Sequence, residues 1–134
     1  MTHEQTIYGV PPSKSNCYRI ITIRGHGSLA KTDAMRKWEK SFYMQCGKYR
    51  DAMISNFFRL EIDVYFPSQR SDLDNALKGV LDCLQSCKAI SNDRWCTEIH
   101  ARKFIDKYRP RVEFTITPVS GIDDKTKQPD LFAL

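Results

Sequence analysis

The clearest pattern in the chain is a run of nine residues, from 58 to 66, in which apolar side chains occupy every second position. These apolar residues are Phe58, Leu60, Ile62, Val64 and Phe66. Because successive side chains of a β-strand point to opposite faces, the run predicts a strand with one buried face. A shorter alternation at Val112, Phe114 and Ile116 predicts a second such strand, over Val112–Thr117. Weaker patterns predict three further strands, at Ile7–Val10, Cys17–Ile23 and Thr97–Phe104. A glycine-containing loop is predicted at Arg24–Ser28.

Two other segments repeat their apolar residues with the spacing of a helix. Met35, Trp38 and Phe42 recur at intervals of three and four between Thr32, a candidate N-cap, and Gly47. This spacing favours core positions for Trp38 and Phe42 over the alternative that they stack on nucleic-acid bases. The second helix follows Asp72 and carries an apolar stripe made of Leu73, Leu77, Val80 and Leu84.

The order of these elements predicts one small α/β domain of the α+β type, in which helices pack against a mixed β-sheet. A length of 134 residues suits a single domain with a sizeable core. The composition becomes polar after Pro118, so we expect a folded domain over residues 1–118 and a flexible tail over residues 119–134. No apolar run has membrane-spanning length and no signal-peptide core is present near the start, which favours a cytoplasmic protein without a membrane partner.

The five cysteines have an odd number and no regular spacing, which favours reduced thiols over a disulfide framework. Four residues could form a zinc site with the spacing C-x3-C-x8-C-x3-H, namely Cys83, Cys87, Cys96 and His100. Cys83 and Cys87 lie beside the apolar stripe of the second helix, however. We therefore favour small core residues over zinc ligands at these positions.

Basic residues exceed acidic ones by 21 to 16, giving a net charge of +5, and they are unevenly distributed. Residues 14–50 contain nine Lys or Arg and two acidic residues, and residues 94–111 contain six and two. Basic segments on either side of an acidic middle would suit a polyanion bound through its phosphates, although a solvated surface would show the same composition. As candidate phosphate contacts we take Lys14, Lys103 and Arg109.

The second helix carries charged residues opposite its apolar stripe. Asp74, Lys78 and Asp82 follow one another at intervals of four, and Asp72 precedes the first turn. A helix cap at Asp72 and an ordinary ion pair between Asp74 and Lys78 would explain part of this pattern. Alternatively, Asp72 and Asp74 alternate onto one side of an extended approach segment, where Mg2+ would relieve their repulsion. Such a metal can activate water for attack on phosphorus, with Lys78 near the scissile phosphate.

These residues resemble a known family. The sequence D-L-D-N-x-x-K-x-x-x-D over residues 72–82, followed by Asn92-Asp93, is similar to the acidic motif of the RusA family of Holliday junction resolvases. Residues 12–16, P-S-K-S-N, resemble the P-S-x-x-N element near the family's N-terminus. The resemblance spans about residues 8–117. It implies a RusA-like fold and a homodimeric, Mg2+-dependent endonuclease that nicks four-way junction DNA symmetrically, with Mn2+ as a substitute metal.

The resemblance also implies roles for individual residues. Asp72, Asp74 and Asp93 correspond to metal-binding catalytic carboxylates, Lys78 to an essential lysine, and Asp82 to a further acidic residue of the motif.

The chain departs from the family pattern at two positions. Some members have two basic residues before the first aspartate, where this chain has Arg70 and Ser71, so the resemblance implies one DNA contact, at Arg70. Other members have an acidic pair where this chain has Asn92 before Asp93. Asparagine can still coordinate a metal or form hydrogen bonds.

The position of Asp93 raises a geometric question, because it lies 21 residues after Asp72 with a helix between them. About 15 helical residues span roughly 22 Å. The stretch from Cys87 to Asp93 reaches at most about 20 Å. Asp93 therefore rejoins the pair only if the helix is shorter or the link runs straight back. Otherwise a partner chain supplies the third carboxylate, or Asp93 contacts Asp82.

The tail contains a second resemblance. Residues 128–132, Q-P-D-L-F, are similar to the peptide by which bacterial proteins bind the replicative sliding clamp, with proline in place of the usual leucine. Gln128, Leu131 and Phe132 would make this contact, because adjacent apolar residues on a flexible segment suit an apolar groove. The alternative is that the tail folds back over its own core.

Two other functions remain open beside a resolvase of DNA recombination and repair. A non-catalytic protein that binds branched DNA would use its aspartates only as helix caps. A magnesium nuclease for flaps or other branched DNA would cut one strand rather than two symmetric ones.

Overall fold

In a computed structural model, residues 3–13 and 17–126 are described. Their strands are β1 (Gln5–Tyr8), β2 (Tyr18–Ile23), β3 (His26–Lys31), β4 (Phe58–Phe66), β5 (Cys96–Ile105) and β6 (Arg111–Pro118). Their helices are α1 (Asp33–Gln45) and α2 (Leu73–Ser86), with single 3-10 turns at Gly47–Tyr49 and Asp93–Trp95.

The central sheet contains four strands in the order β1-β6-β4-β5. Strand β4 pairs antiparallel with β6 and parallel with β5, so that Ile62 lies opposite Phe114 on one side and Ala101 on the other. Strand β1 pairs antiparallel with β6. The sheet is therefore mixed, as predicted, and the α+β class is confirmed.

Helices cover one face of this sheet. The alternating apolar residues of β4 are almost completely buried, and α1 contributes Met35, Trp38 and Phe42 to the same core. The rings of Phe42 and Phe114 stack with centroids 5.9 Å apart. The core interpretation of Trp38 and Phe42 is therefore confirmed. The opposite face of the sheet is polar and carries Arg59, Glu61 and Asp63 among others.

The core also holds two cysteines considered as zinc ligands. Burial raises the pKa of the Cys83 thiol, and burial raises the pKa of Cys87 to about 12. Both side chains pack in the apolar core, at 1% and 2% exposed, which agrees with their interpretation as small core residues. Within residues 3–13 and 17–126, no group of three or more His, Cys, Asp or Glu side chains is arranged to hold a metal ion.

The segment predicted as a loop at Arg24–Ser28 is largely a hairpin. Strands β2 and β3 pair antiparallel, with Ile23 opposite His26, so only Arg24 and Gly25 form the turn. Both have positive φ, 50° and 79°, as in the two-residue turn that matches strand twist. Gly27 and Ser28 have low strand propensity, and their pairing with β2 overrides it.

The boundaries of the other strands shift by up to two residues. Strand β1 begins at Gln5 because it pairs with β6 from Gln5 opposite Phe114, and it ends before Gly9, whose φ is 119°. Strand β6 ends at Pro118, and no helix or strand follows up to residue 126. In the described portion of the chain, no helix is both long and apolar enough to cross a membrane.

Candidate active site

The acidic motif begins at the N-terminus of α2. Asp72 is the N-cap residue, with an extended backbone (φ −94°, ψ 133°), but its carboxylate makes no capping hydrogen bond. Its Oδ2 instead accepts a hydrogen bond from Asn75 Nδ2 at 3.4 Å. The prediction that the carboxylates of Asp72 and Asp74 converge assumed an extended backbone through both residues. The extended backbone ends at Asp72, because Asp74 already belongs to the first helical turn.

Asp72 and Asp74 are both exposed, and neither has an ion-pair partner among the residues that the structure describes. The positive end of the α2 dipole favours negative charge at this position. Two hard oxygen donors without a cationic partner are the ligand type that Mg2+ takes, together with waters and phosphate oxygens. On this chemistry the two residues fit a divalent cation.

Further along the helix, Lys78 joins two other acidic residues of the motif. Lys78 Nζ lies 3.2 Å from Asp82 Oδ1 and 3.8 Å from Asp93 Oδ2. The backbone N–H of Asp93 donates to Gln85 Oε1 at 3.1 Å. Asp93 thus returns to α2 within the same chain, beside Asp82 and Lys78. The structure does not gather it into a three-carboxylate group with Asp72 and Asp74.

The link from α2 to Asp93 turns back sharply, which answers the question of reach. Lys88 has a φ of 60°, and the N–H groups of Ala89 and Ile90 donate to Leu84 O on the helix that has just ended. Asn92 then caps the short turn that contains Asp93 by accepting from Arg94 N. This reversal brings Asp93 to the second half of α2.

Asp82 is held from both sides. Its Oδ1 faces Lys78, and its Oδ2 accepts a hydrogen bond from the Tyr18 hydroxyl at 3.1 Å. Burial, together with the negative charge of Asp82, raises the pKa of Tyr18 to about 12, so this hydroxyl remains a donor near neutral pH. Asp82 therefore holds the Lys78 ammonium group in position, and each of its carboxylate oxygens already faces a hydrogen-bond or ion-pair donor.

A cavity of about 300 Å3 lies beside Asp72. Its lining includes Arg70, Ser71 and Asn75, and on the other side the Pro11–Ser13 segment. A second, more open groove of about 520 Å3 also includes Pro11–Ser13 and Ser71 in its lining, and it extends to Lys37 on α1. Asp72 and Arg70 thus line one cavity, and the Lys37 side chain lines the groove next to it.

The other residues predicted to contact phosphates are Lys14, Lys103 and Arg109. Lys103 Nζ donates to Gln69 O at 2.9 Å, which ties β5 to the segment leading into α2. Arg109 lies over the Tyr8 ring at 5.0 Å and donates to its hydroxyl at 3.1 Å. Lys14 and the tail residues Gln128, Leu131 and Phe132 fall outside the described residues.

Two residues that contact the motif were missed by the sequence reasoning. Gln85 follows Asp82 by three positions on the same helix face, so helical spacing could have identified it. Tyr18 lies 64 residues away from Asp82 along the chain, and no local pattern indicates that contact.

Comparison with known proteins identifies the family of this chain. The family described as Endodeoxyribonuclease RusA matches residues 10–117, which include every motif residue discussed above. A crossover junction endodeoxyribonuclease RusA from Aquifex aeolicus (strain VF5) is 29% identical over 111 residues, covering 81% of this chain and 86% of the relative. The predicted resemblance and the predicted endodeoxyribonuclease class are thereby confirmed. The chain belongs to the RusA family of endodeoxyribonucleases.

Proposed function

We propose that this enzyme resolves Holliday junctions by paired symmetric nicks, acting as a homodimer with Mg2+. Membership of the RusA family and similarity to a relative named for crossover junctions support the substrate. The structural observation that supports it most is the contrast within the acidic motif. Asp82 and Asp93 are engaged by Lys78, whereas Asp72 and Asp74 have no cationic partner among the described residues.

In this proposal, Asp72 and Asp74 hold the metal, and Arg70, in the same cavity as Asp72, binds a DNA phosphate. When bound, the metal supplies an activated water and stabilises charge on the phosphate oxygens. Lys78 contributes positive charge near the scissile phosphate, and Asp82 and Asp93 keep its ammonium group in place. Asp82 is in turn oriented by the Tyr18 hydroxyl.

A homodimer would provide two equivalent sites, which suits a junction with near two-fold symmetry. Asp93 acts either within its own chain, through Lys78, or on the metal site of the partner. Mixed dimers of an Asp72→Asn subunit with an Asp93→Asn subunit distinguish these roles. Restored cleavage in the mixture requires sharing between subunits, and absence of restoration places Asp93 in its own chain's site.

The central experiment incubates purified protein with a synthetic four-way junction, with and without Mg2+, and maps the nicks. We expect symmetric nicks only when a divalent metal is present, with Mn2+ able to replace Mg2+. Asp72→Asn and Asp74→Asn should retain junction binding and lose at least about 100-fold in cleavage. Asp123→Asn is the matched control, because it removes an exposed carboxylate outside the motif.

Each other outcome has a defined meaning. Binding without any cleavage by the unchanged protein would favour the non-catalytic branched-DNA binder. Faster single-strand nicking of a flap than of a junction would favour the flap nuclease. Cleavage that survives Asp72→Asn and Asp74→Asn would contradict the assigned site.

A further inference from the structure

Strands β2 and β3 form a two-stranded ribbon, residues 18–31, which we call the hairpin arm. It lies outside the four-stranded sheet. Ile20 is 78% exposed and Leu29 is 71% exposed, and the two residues lie directly opposite each other in the register. Ile23, near the turn, is also exposed. The arm therefore presents a pair of large apolar side chains next to each other on one face, where they are available to a partner.

The charge of the arm indicates what kind of partner this is. Residues 17–32 include Arg19, Arg24, Lys31 and His26 and contain no Asp or Glu. Two such arms packed against each other would place like charges together, which disfavours a second copy of the arm as the occupant. An apolar face on an exclusively basic ribbon instead suits nucleic acid, whose phosphates attract the cations and whose bases can contact the apolar side chains.

The base of the arm is joined to the candidate active site. Tyr18, its first residue, donates a hydrogen bond to Asp82 on α2, and Asp82 pairs with Lys78. Lys31, its last residue, pairs with Glu39 on α1 at 2.7 Å. The root of the arm is thus anchored to α2 at Asp82, about 12–15 Å along the helix from Asp74 and Asp72. DNA that extends this far from Asp72 and Asp74 would contact the arm.

We propose that the hairpin arm is a wedge that contacts unstacked bases at the branch point of the junction, with Ile20 and Leu29 against the bases and Arg19 and Arg24 near phosphates. This inference rests on the proposed junction substrate. Proteins that kink DNA insert isoleucine or leucine between base steps and partly unstack them. Bases at a branch point can lose their stacking neighbour more readily than bases inside a duplex, so the wedge distinguishes branched from linear DNA.

The test uses the double variant Ile20→Thr/Leu29→Thr, which places a β-branched residue with high strand propensity at both positions. The control is Met44→Ala/Ile122→Thr, which removes two exposed apolar side chains elsewhere. Both are compared with the unchanged protein on a four-way junction that carries 2-aminopurine at the branch point, in EDTA so that no metal-dependent cleavage occurs. Circular dichroism and sedimentation establish fold and oligomeric state for each protein.

We expect the unchanged protein and the control to raise the 2-aminopurine fluorescence on binding. The arm variant should abolish this rise and bind the junction about 10-fold more weakly, with affinity for linear duplex changed by less than about twofold. Unchanged junction affinity and fluorescence in the arm variant would overturn the inference. Conversion of the arm variant to a smaller oligomer would also overturn it, because the apolar pair would then belong to a subunit interface.

Failure of the inference can be separated from failure of the proposed function. If the unchanged protein nicks junctions in Mg2+ while the arm variant opens the branch point normally, only the wedge is contradicted. If the unchanged protein opens the branch point through the arm but never nicks a junction, the wedge is supported and the resolvase proposal is contradicted.

Discussion

The polar face of the sheet contains a buried carboxylate whose removal should destabilise the fold in a pH-dependent way. Asp63 on β4 is 4% exposed. It accepts two hydrogen bonds from Arg102 on β5, both at 2.9 Å, and one from His3 Nε2 at 3.0 Å. Burial acts to raise the pKa of Asp63, but the bonds from Arg102 and His3 outweigh it and hold the pKa below its ordinary value. Asp63 is therefore an anion at neutral pH, held by two partners.

The expected loss for Asp63→Asn follows from the exposure of those partners. The Arg102 side chain is 59% exposed, so water can replace its partner and its bond contributes only about 0.2–1 kcal/mol. The His3 side chain is 4% exposed and loses a charged acceptor, which costs about 1–3 kcal/mol. We therefore expect a loss of about 2 kcal/mol in the free energy of unfolding at pH 7, or a fall in Tm of roughly 6–10 °C.

The pH dependence gives the sharper test. A carboxylate with a depressed pKa in the folded state stabilises the protein fully above its unfolded pKa of about 3.9, and this contribution is lost as pH falls through the folded pKa. Other titratable groups near Asp63 on the same face are Glu113, opposite it on β6, and Glu61 and Tyr65 on β4. Asp63→Asn leaves these groups in place but removes the partner of His3, so the part of the difference that is lost below about pH 4 reports the titration of Asp63.

Urea unfolding followed by circular dichroism measures this difference. The difference in the free energy of unfolding between the unchanged protein and Asp63→Asn should be smaller below about pH 4 than at pH 7. Glu98→Gln serves as the control, because Glu98 is exposed and pairs with Arg59 at 3.6 Å, and its effect should stay within about 0.5 kcal/mol. A gap of equal size at pH 7 and pH 3 would refute the argument that the lost negative charge causes the destabilisation.

Four further predictions concern the candidate site and the tail. Lys78→Met should change the free energy of unfolding by less than about 1 kcal/mol, because its ion pairs are exposed, but reduce junction cleavage at least about 100-fold; a large stability loss would make Lys78 a structural clamp instead. Tyr18→Phe should destabilise the fold by about 1 kcal/mol in thermal unfolding, through loss of the bond to Asp82, and an unchanged Tm would contradict the importance of that bond. Arg70→Gln should lower the slope of log affinity against log salt by about one, measured by junction titration, if Arg70 contacts a single phosphate; an unchanged slope would exclude that contact. Deletion of residues 127–134 should leave nicking unchanged and weaken binding to a sliding clamp, and unchanged clamp affinity would exclude the tether.

The parts of the fold that were predicted correctly are those with a strong local period. The alternation in β4 and β6 and the stripe on α2 each require burial of one face, and burial on one face is what the sequence pattern records. Strand β3 was missed because its glycine and serine carry little strand propensity. Its pairing depends on the turn at Arg24 and Gly25, where a positive φ for arginine is not indicated by its residue type.

The candidate site shows the same division between local and tertiary information. Helical spacing predicted that Lys78 and Asp82 share a face, and their 3.2 Å ion pair confirms it. The position of Asp93 depends on how the chain turns after Cys87. The residue spacing alone sets only an upper limit on the distance that this link can span. The reversal at Lys88 and the bonds back to Leu84 decide it, and those bonds exist only once α2 has formed and packed.

Two acidic residues of the motif have partners within the protein that fix their positions, and the other two lack a cationic partner among the described residues. This difference helps to explain how the charges of the motif are arranged. Asp82 and Asp93 share Lys78, Asp82 also receives the Tyr18 hydroxyl, and Asp93 is held by Gln85, so their geometry is set within the protein. From the described residues, Asp72 receives only a long bond from Asn75, and its capping role is unused. A carboxylate at a helix N-terminus normally improves stability by capping, so an uncapping conformation gives up about 0.5–2 kcal/mol. In the proposed function, on a chain with a net charge of +5, that conformation keeps oxygen atoms available for a cation that arrives with the DNA phosphate. The proposed metal site and the proposed substrate site would then be one site, in which each ligand supplies part of the coordination of the other.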